Sequence, residues 1–491
     1  MDRERRDFIA AATMAGAVAG VGASAALETS GLAQGPTQGL ATHGNLLKPS
    51  LPDIGFATRE PFLDRERARR ILAEDGLDAM VVGEGRNVFH ATNFFPLLER
   101  MSMIASTLAI IPRDPQRPVA LVIPAFSYYY IQADDGGVPG VQPFVFTSPR
   151  PGAAAGDVVI HKLDGEPPAR EQNRRKVLAA AAPYHASMEQ ALGKALAELG
   201  VARGRLGHDD SSVAQLLTRA APAATLVDAD DTPRRIRLVR TPAEIRMMKL
   251  ASEANVAAAH ATIRAARELG SVRAIRQRFF AEAALRGNLG VFMVVNASSS
   301  DAYDEPLRDG QALMIDCVSH LRNFHGDYGR TIFFGEPNKR IRYCTDAMAK
   351  TWGELQGLIR PGMRFSQVRE LGTATLAKFG IDVPVTFSPH SVGLAHTDQP
   401  RLNVDGSRTD IIIEENMILS IDCPLFETGG RRNGASRRSR ARHPPRDCAD
   451  SRHRHLDLHG LNSGFSARAR AGTRKRGHAP TKRERPPGCR P

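Results

Sequence analysis

Cysteine is scarce. The five residues in a chain of 491, Cys317, Cys344, Cys423, Cys448 and Cys489, include no C-x-x-C pair and build no even-numbered framework. This excludes a fold stapled by cysteine pairs, and no structural disulfide is expected in the body of the chain. Long runs of Leu, Ile or Phe are also missing near the N-terminus, where an Ala-rich stretch is diluted by Gly16, Gly20 and Gly22. That composition argues against a spanning helix, and no stable membrane anchor is expected. The body lacks positive charge as well. The formal charge is +13, but residues 429–491 hold 16 Arg and 2 Lys against Asp447, Asp450, Asp457 and Glu484, or 18 − 4 = +14. Everything before them carries 13 − 14 = −1, so nucleic-acid binding by the folded body is not expected.

The length predicts two domains plus extensions. Residues 1–37 open with Arg3, Arg5 and Arg6, continue through Phe8-Ile9 and an Ala/Gly/Val run, and reach Ala23-Ser24-Ala25. That is the order of a signal peptide, and Arg5-Arg6-x-Phe8-Ile9 resembles the twin-arginine export signal. A periplasmic or secreted location by that pathway follows as an expectation. Residues 38–59 read as a Gly/Pro/Thr/Ser-rich linker. Across 60–232, helices at 63–73, 187–199 and 211–220 alternate with strand-like runs at 77–82, 103–112 and 118–124, which predicts an α/β layer domain. Few acids or histidines cluster there, so its expected role is support.

The second domain, 233–428, announces itself at Thr241-Pro242-Ala243-Glu244: an N-cap, a proline at the first helical position and a glutamate three residues after the cap. That helix should run to about 269, with another over 272–286. Strands are predicted at 291–295, 312–318, 323–334, 383–387 and 417–421, with helices at 339–359 and 366–379 between them. Paired long helices with an antiparallel, acid-lined sheet make this domain α+β.

Asp316 ends the apolar run Ala312-Leu313-Met314-Ile315, and Asp327 follows eleven residues later in Gly326-Asp327-Tyr328-Gly329-Arg330-Thr331. Two such carboxylates can face each other from adjacent antiparallel strands, and a divalent cation between them removes their repulsion. By spacing alone, turn-flanking acids are the commoner arrangement. The segment His390-Ser391-Val392-Gly393-Leu394-Ala395-His396 adds nitrogen donors suited to Zn, Mn, Co or Fe. Asp422 closes another apolar strand, Met417-Ile418-Leu419-Ser420-Ile421.

Taken in order, these motifs resemble the "pita-bread" metallopeptidases: aminopeptidase P, prolidase and their relatives, including creatinase. The match covers roughly residues 60–428, and the first domain resembles the creatinase-type N-terminal domain. The resemblance implies an α+β pita-bread catalytic domain preceded by an α/β creatinase-type domain. It implies two divalent metal ions (Mn, Co, Zn or Fe), with Asp316, Asp327, His390 and Asp422 as metal ligands and His396 as a catalytic histidine that contacts substrate. It further implies cleavage of Xaa-Pro peptide bonds by a metal-bridged hydroxide, a peptide or small-molecule substrate, and a homodimer. Three departures are visible. Asp422 replaces the family's glutamate and reaches about 1.5 Å less. Ser299 stands where many members have a histidine, and the histidine pair is one residue closer than in several relatives. These departures leave open a related enzyme acting on a small non-peptide substrate.

The family also places a metal-binding glutamate on a strand after Asp422. Here residues 429–491 turn Arg/His/Pro-rich, with too few apolar residues to order themselves, so a disordered basic tail is expected. Such composition is what GC-rich coding DNA yields out of frame. Residues 434–443 can be back-translated so that the next frame reads Ala-His-Leu-Glu-Asp-Leu-Val-Leu-Val, a strand carrying the absent acid. The expectation is a frameshifted C-terminus and an incomplete site, with a pseudoenzyme or a natural basic tail as the alternatives.

Overall fold

Thr241 caps its helix as expected: its side chain accepts from the Glu244 amide while Glu244 accepts from the Thr241 amide, and the helix runs Pro242–Leu269. The computed structural model describes residues 49, 51–103, 105–132, 137–147, 165–381, 385–403, 406–425 and 467–468. The signal-peptide reading, and the tail reading apart from Ala467–Arg468, lie outside the described residues. Within the stretch read as linker, Gly55–Thr58 forms a 3-10 turn with Ala57 buried. Among the described residues, no helix is long and apolar enough to cross a membrane.

The first domain is built on strands β1 (Ala79–Val82), β2 (Leu108–Pro112), β3 (Val119–Pro124), β4 (Val141–Phe146), β5 (Arg205–His208) and β6 (Thr225–Asp228), in the order β4-β3-β2-β1-β5-β6. Helices α1 (Arg65–Glu74), α2 (Gly85–Thr92), α3 (Ala169–Ala180), α4 (Met188–Glu198) and α5 (Ser211–Ala220) accompany it. Alternation along β1 explains the layering. Met80 and Val82 join the core of α1 and α2, whereas Ala79 and Val81 join that of α4 and α5. A strand covered on both faces has to be apolar throughout. Strand β2 begins later than its apolar run predicts, because Ser102 and Ala105 take positive φ angles that interrupt an extended chain.

Helix α6 (Asp231–Ile236) leads into α7 (Pro242–Leu269) and α8 (Val272–Ala284). These back an antiparallel sheet of β7 (Leu289–Val295), β8 (Gln311–Leu321) and β9 (Phe324–Phe334). Buried Asn255 of α7 donates to the Cys317 carbonyl (2.9 Å) and accepts from Ser319 (2.6 Å), fixing helix to sheet. A second layer pairs α9 (Lys339–Leu358) and α10 (Phe365–Lys378) with β10 (Ser388–Ser391) and β11 (Ile418–Asp422). Ala467–Arg468, β12, pairs with Ile418–Leu419 on the other edge of β11.

Two expectations need correction. The strand placed at 383–387 lies at Ser388–Ser391, because Phe387 is committed to the core against Gly372 and the next four residues face β11. Cys344 is disulfide-bonded, whereas Cys317 and Cys423 are buried thiols. Spacing carried no sign of that bond.

The domains join through aromatic and ionic contacts. Phe62 packs edge-on against Phe89 (5.4 Å between ring centroids) and Phe324 (5.0 Å). Arg67 reaches Glu414 with two 2.9 Å hydrogen bonds.

Candidate metal centre

Register places the acids. Strands β8 and β9 turn at Arg322-Asn323, both with positive φ, the geometry of a tight two-residue hairpin. Val318 pairs with Asp327, and Asp316 with Gly329. Residues two apart share a face, so Asp316 and Asp327 lie diagonally on one side of the ladder. The thiol of Cys317 is pushed well up by its burial and by the charges of these two neighbours. Gly326 permits the arrangement: a Cβ there would come within 2.6 Å of the Asn255 Cβ and 2.9 Å of the Ala251 carbonyl on α7.

The same geometry recurs on the second ribbon. His390 pairs with Ser420 and Ser388 with Asp422, so His390 and Asp422 also share a face diagonally. The two faces meet. His390 Nε2 lies 3.6 Å from Asp327 Oδ2 and 3.6 Å from Asp422 Oδ2, and His396 Nε2 lies 3.5 Å from Asp327 Oδ2. Burial opposes protonation of His390, but Asp422 and Asp327 outweigh it and raise its pKa above the ordinary value.

Asp327, His390 and His396 each offer a donor atom, all within 4.8 Å of one another. Asp422 stands beside His390, and Asp316 shares the face of Asp327. Of the sequence-predicted residues, Asp327, His390 and His396 are brought together with Asp422 beside them, His396 turned into the donor cluster, whereas Asp316 is placed by register on the ladder face of Asp327.

A divalent cation fits. His390 Nε2 is buried and makes no hydrogen bond, its carboxylate neighbours lying beyond hydrogen-bonding distance. Two donors at about 2.1 Å on one tetrahedral ion stand roughly 3.4 Å apart, close to the 3.5 Å from His396 to Asp327 and the 3.6 Å from His390 to Asp327 and to Asp422. The mixed imidazole and carboxylate set suits Zn, Mn, Co or Fe.

The loop between the histidines is tied down by residues that composition did not single out. The His325 amide and Nδ1 both donate to the Gly393 carbonyl at 2.9 Å. A carbonyl only accepts, so the His325 proton sits on Nδ1. Buried Arg240 donates to the Val392 carbonyl at 3.0 Å, and a Cβ on Gly393 would stand 2.0 Å from its Nη2. Asp398, two residues beyond His396, is paired with Arg237, both side chains 1% exposed. Arginines in a charged run ordinarily read as solvated surface, so Arg237 gave no signal. Thr397 Oγ1 lies 3.0 Å from His396 Nδ1, and the Phe292 ring stands edge-on to His396 at 5.2 Å.

Residues 65–239 match the Creatinase/Prolidase N-terminal domain and residues 246–436 match metallopeptidase family M24. A methionine aminopeptidase of Chlamydia pneumoniae is 26% identical over 127 residues, 26% of this chain and 43% of that protein. An Xaa-Pro dipeptidase of Pyrococcus furiosus is 22% identical over 126 residues, 26% of this chain and 35% of that protein. The chain thus matches less than half the length of these relatives. Among solved structures, an Xaa-Pro dipeptidase from Bacillus anthracis superposes with a TM-score of 0.53 at 16% identity, covering 74% of this chain and 89% of that one, which shows the fold.

Proposed function

Because the chain carries a Creatinase/Prolidase N-terminal domain followed by a metallopeptidase family M24 domain, the creatinase-type and pita-bread pair, we propose that it is a metal-dependent hydrolase of Xaa-Pro peptide bonds. The observation that carries this reading is the convergence of Asp327, His390 and His396 within 4.8 Å, with Asp422 beside His390. Asp316, Asp327, His390 and Asp422 would hold two divalent ions. Such ions lower the pKa of a coordinated water from about 15.7 toward about 7 and polarise a carbonyl.

The protein's own groups orient the reaction. His396 is 24% exposed, the most open of the three donor residues, and so can meet substrate. Its Nδ1 is held by Thr397 and its ring is steadied by Phe292. The other nitrogen faces the cluster, where a proton or a developing negative charge on the substrate would be handled. Export to the periplasm or medium, resting on Arg5-Arg6-x-Phe8-Ile9, is part of the same proposal.

Ser299 favours a second reading. It is exposed in a loop that Arg276 holds through the Ser298 and Ser300 carbonyls, and it cannot do the work of a histidine there. A small non-peptide substrate is then the alternative. Purified protein supplied with Mn or Co should release proline from Xaa-Pro dipeptides. Metal uptake without proline release would point to the alternative, and no uptake at all to a pseudoenzyme.

A further inference from the structure

The loop bearing His396 is anchored at its far end by a carboxylate outside the donor cluster. Asp398 accepts two hydrogen bonds from Arg237, Nε to Oδ2 and Nη2 to Oδ1, each 2.6 Å. Arg240 stands 3.9 Å from the same Oδ2. The Asp398 amide donates to the Ser391 carbonyl at 3.2 Å, next to His390, so one residue reaches both histidines through the backbone.

Arg237 does not stop at Asp398. Its Nη1 donates to the Asn87 side-chain oxygen on α2, in the other domain. Asn87 Nδ2 donates to Asp209 Oδ2 at 2.7 Å, and Asp209 also accepts from the amides of Gly83 and Glu84 at the end of β1. Guanidinium groups only donate, so Asn87 has to present its oxygen to Arg237 and its amide to Asp209. The direction of every link is therefore determined, from the sheet of the first domain to a residue two positions from His396.

Stability alone does not account for this. A buried ion pair can often be replaced by apolar side chains without loss of stability, whereas a planar, doubly bonded guanidinium sets an angle as well as a distance. We propose that Asp398, Arg237 and Asn87 are positioning residues through which the N-terminal domain sets the placement of His390 and His396 in the metal centre. The inference rests on the metal-site reading above.

Cobalt(II) titration of the full chain, followed by its visible ligand-field absorption and by thermal melting, tests it. Asn87→Ala and Asp398→Asn should weaken cobalt binding by about 10-fold or more and change the shape of the band, as losses of supporting partners do. Asp398→Asn leaves Arg237 buried without its counter-charge and can fail to fold. Asn87→Ala removes no charge and then decides the matter. A folded Asn87→Ala protein with the parental affinity and band overturns the proposal, even if its melting temperature falls. A parent chain with no cobalt band is a different failure, overturning the metal-site reading and this inference with it.

Discussion

His390 Nε2 and Asp327 Oδ2 face each other across 3.6 Å although they stand on different sheets. Neither ribbon alone brings an imidazole to that carboxylate. A divalent ion held between them should bind the folded chain only, so Mn, Co or Zn at about 100 times its dissociation constant should add about 2.7 kcal/mol of stability. Thermal melts with metal and with a chelator read this directly. Asp327→Asn and His390→Ala should remove the difference; an equal response in the parent and both variants would refute a shared site.

Gly326 lets α7 press against the strand that carries Asp327. In Gly326→Ala the new methyl would meet backbone and Cβ atoms closer than 3.0 Å, so strand or helix has to shift. Overpacking of this kind costs about 1–3 kcal/mol. The urea midpoint should fall accordingly and metal affinity with it. An unchanged midpoint would show that the helix has room to move.

Acid should loosen the domain junction. Burial alone would raise the Asp398 pKa, but Arg237, with Arg240 and Arg234, holds it down to about 2 against an ordinary 3.8. The folded chain thus takes up this proton less readily than the unfolded one. Stability from the pair is fully present above about pH 4 and is lost as pH falls toward 2, by about 2 kcal/mol. Asp398→Asn should cost about 3–5 kcal/mol near neutrality, because it leaves Arg237 buried without a counter-charge. Denaturant curves for parent and variant should draw together below pH 4. A constant gap down to pH 2.5 would contradict the assignment.

The C-terminal segment makes a prediction about DNA. If residues beyond 428 are read out of frame, the gene near the Gly429 codon should restore, in the next frame, a strand carrying Glu-Asp. Elemental analysis should then find about two ions per chain in the frame-restored protein, as two-metal hydrolases require, and fewer in the chain with the present tail. Equal metal content in both would argue for a natural tail.

What the sequence by itself determined is local. The capping box of α7, the hairpin that sets Asp316 diagonal to Asp327, and the apolar run ending at Asp422 depend on residues close in the chain, so periodicity and turn chemistry announce them. The order of the motifs added the expectation that the two ribbons meet. Tertiary structure alone decided the rest. Asn87 and Arg237 are 150 positions apart, and Arg237 and Asp398 are 161 apart. No local pattern marks such pairs, because a buried charge finds its partner only when elements distant in the chain close around it.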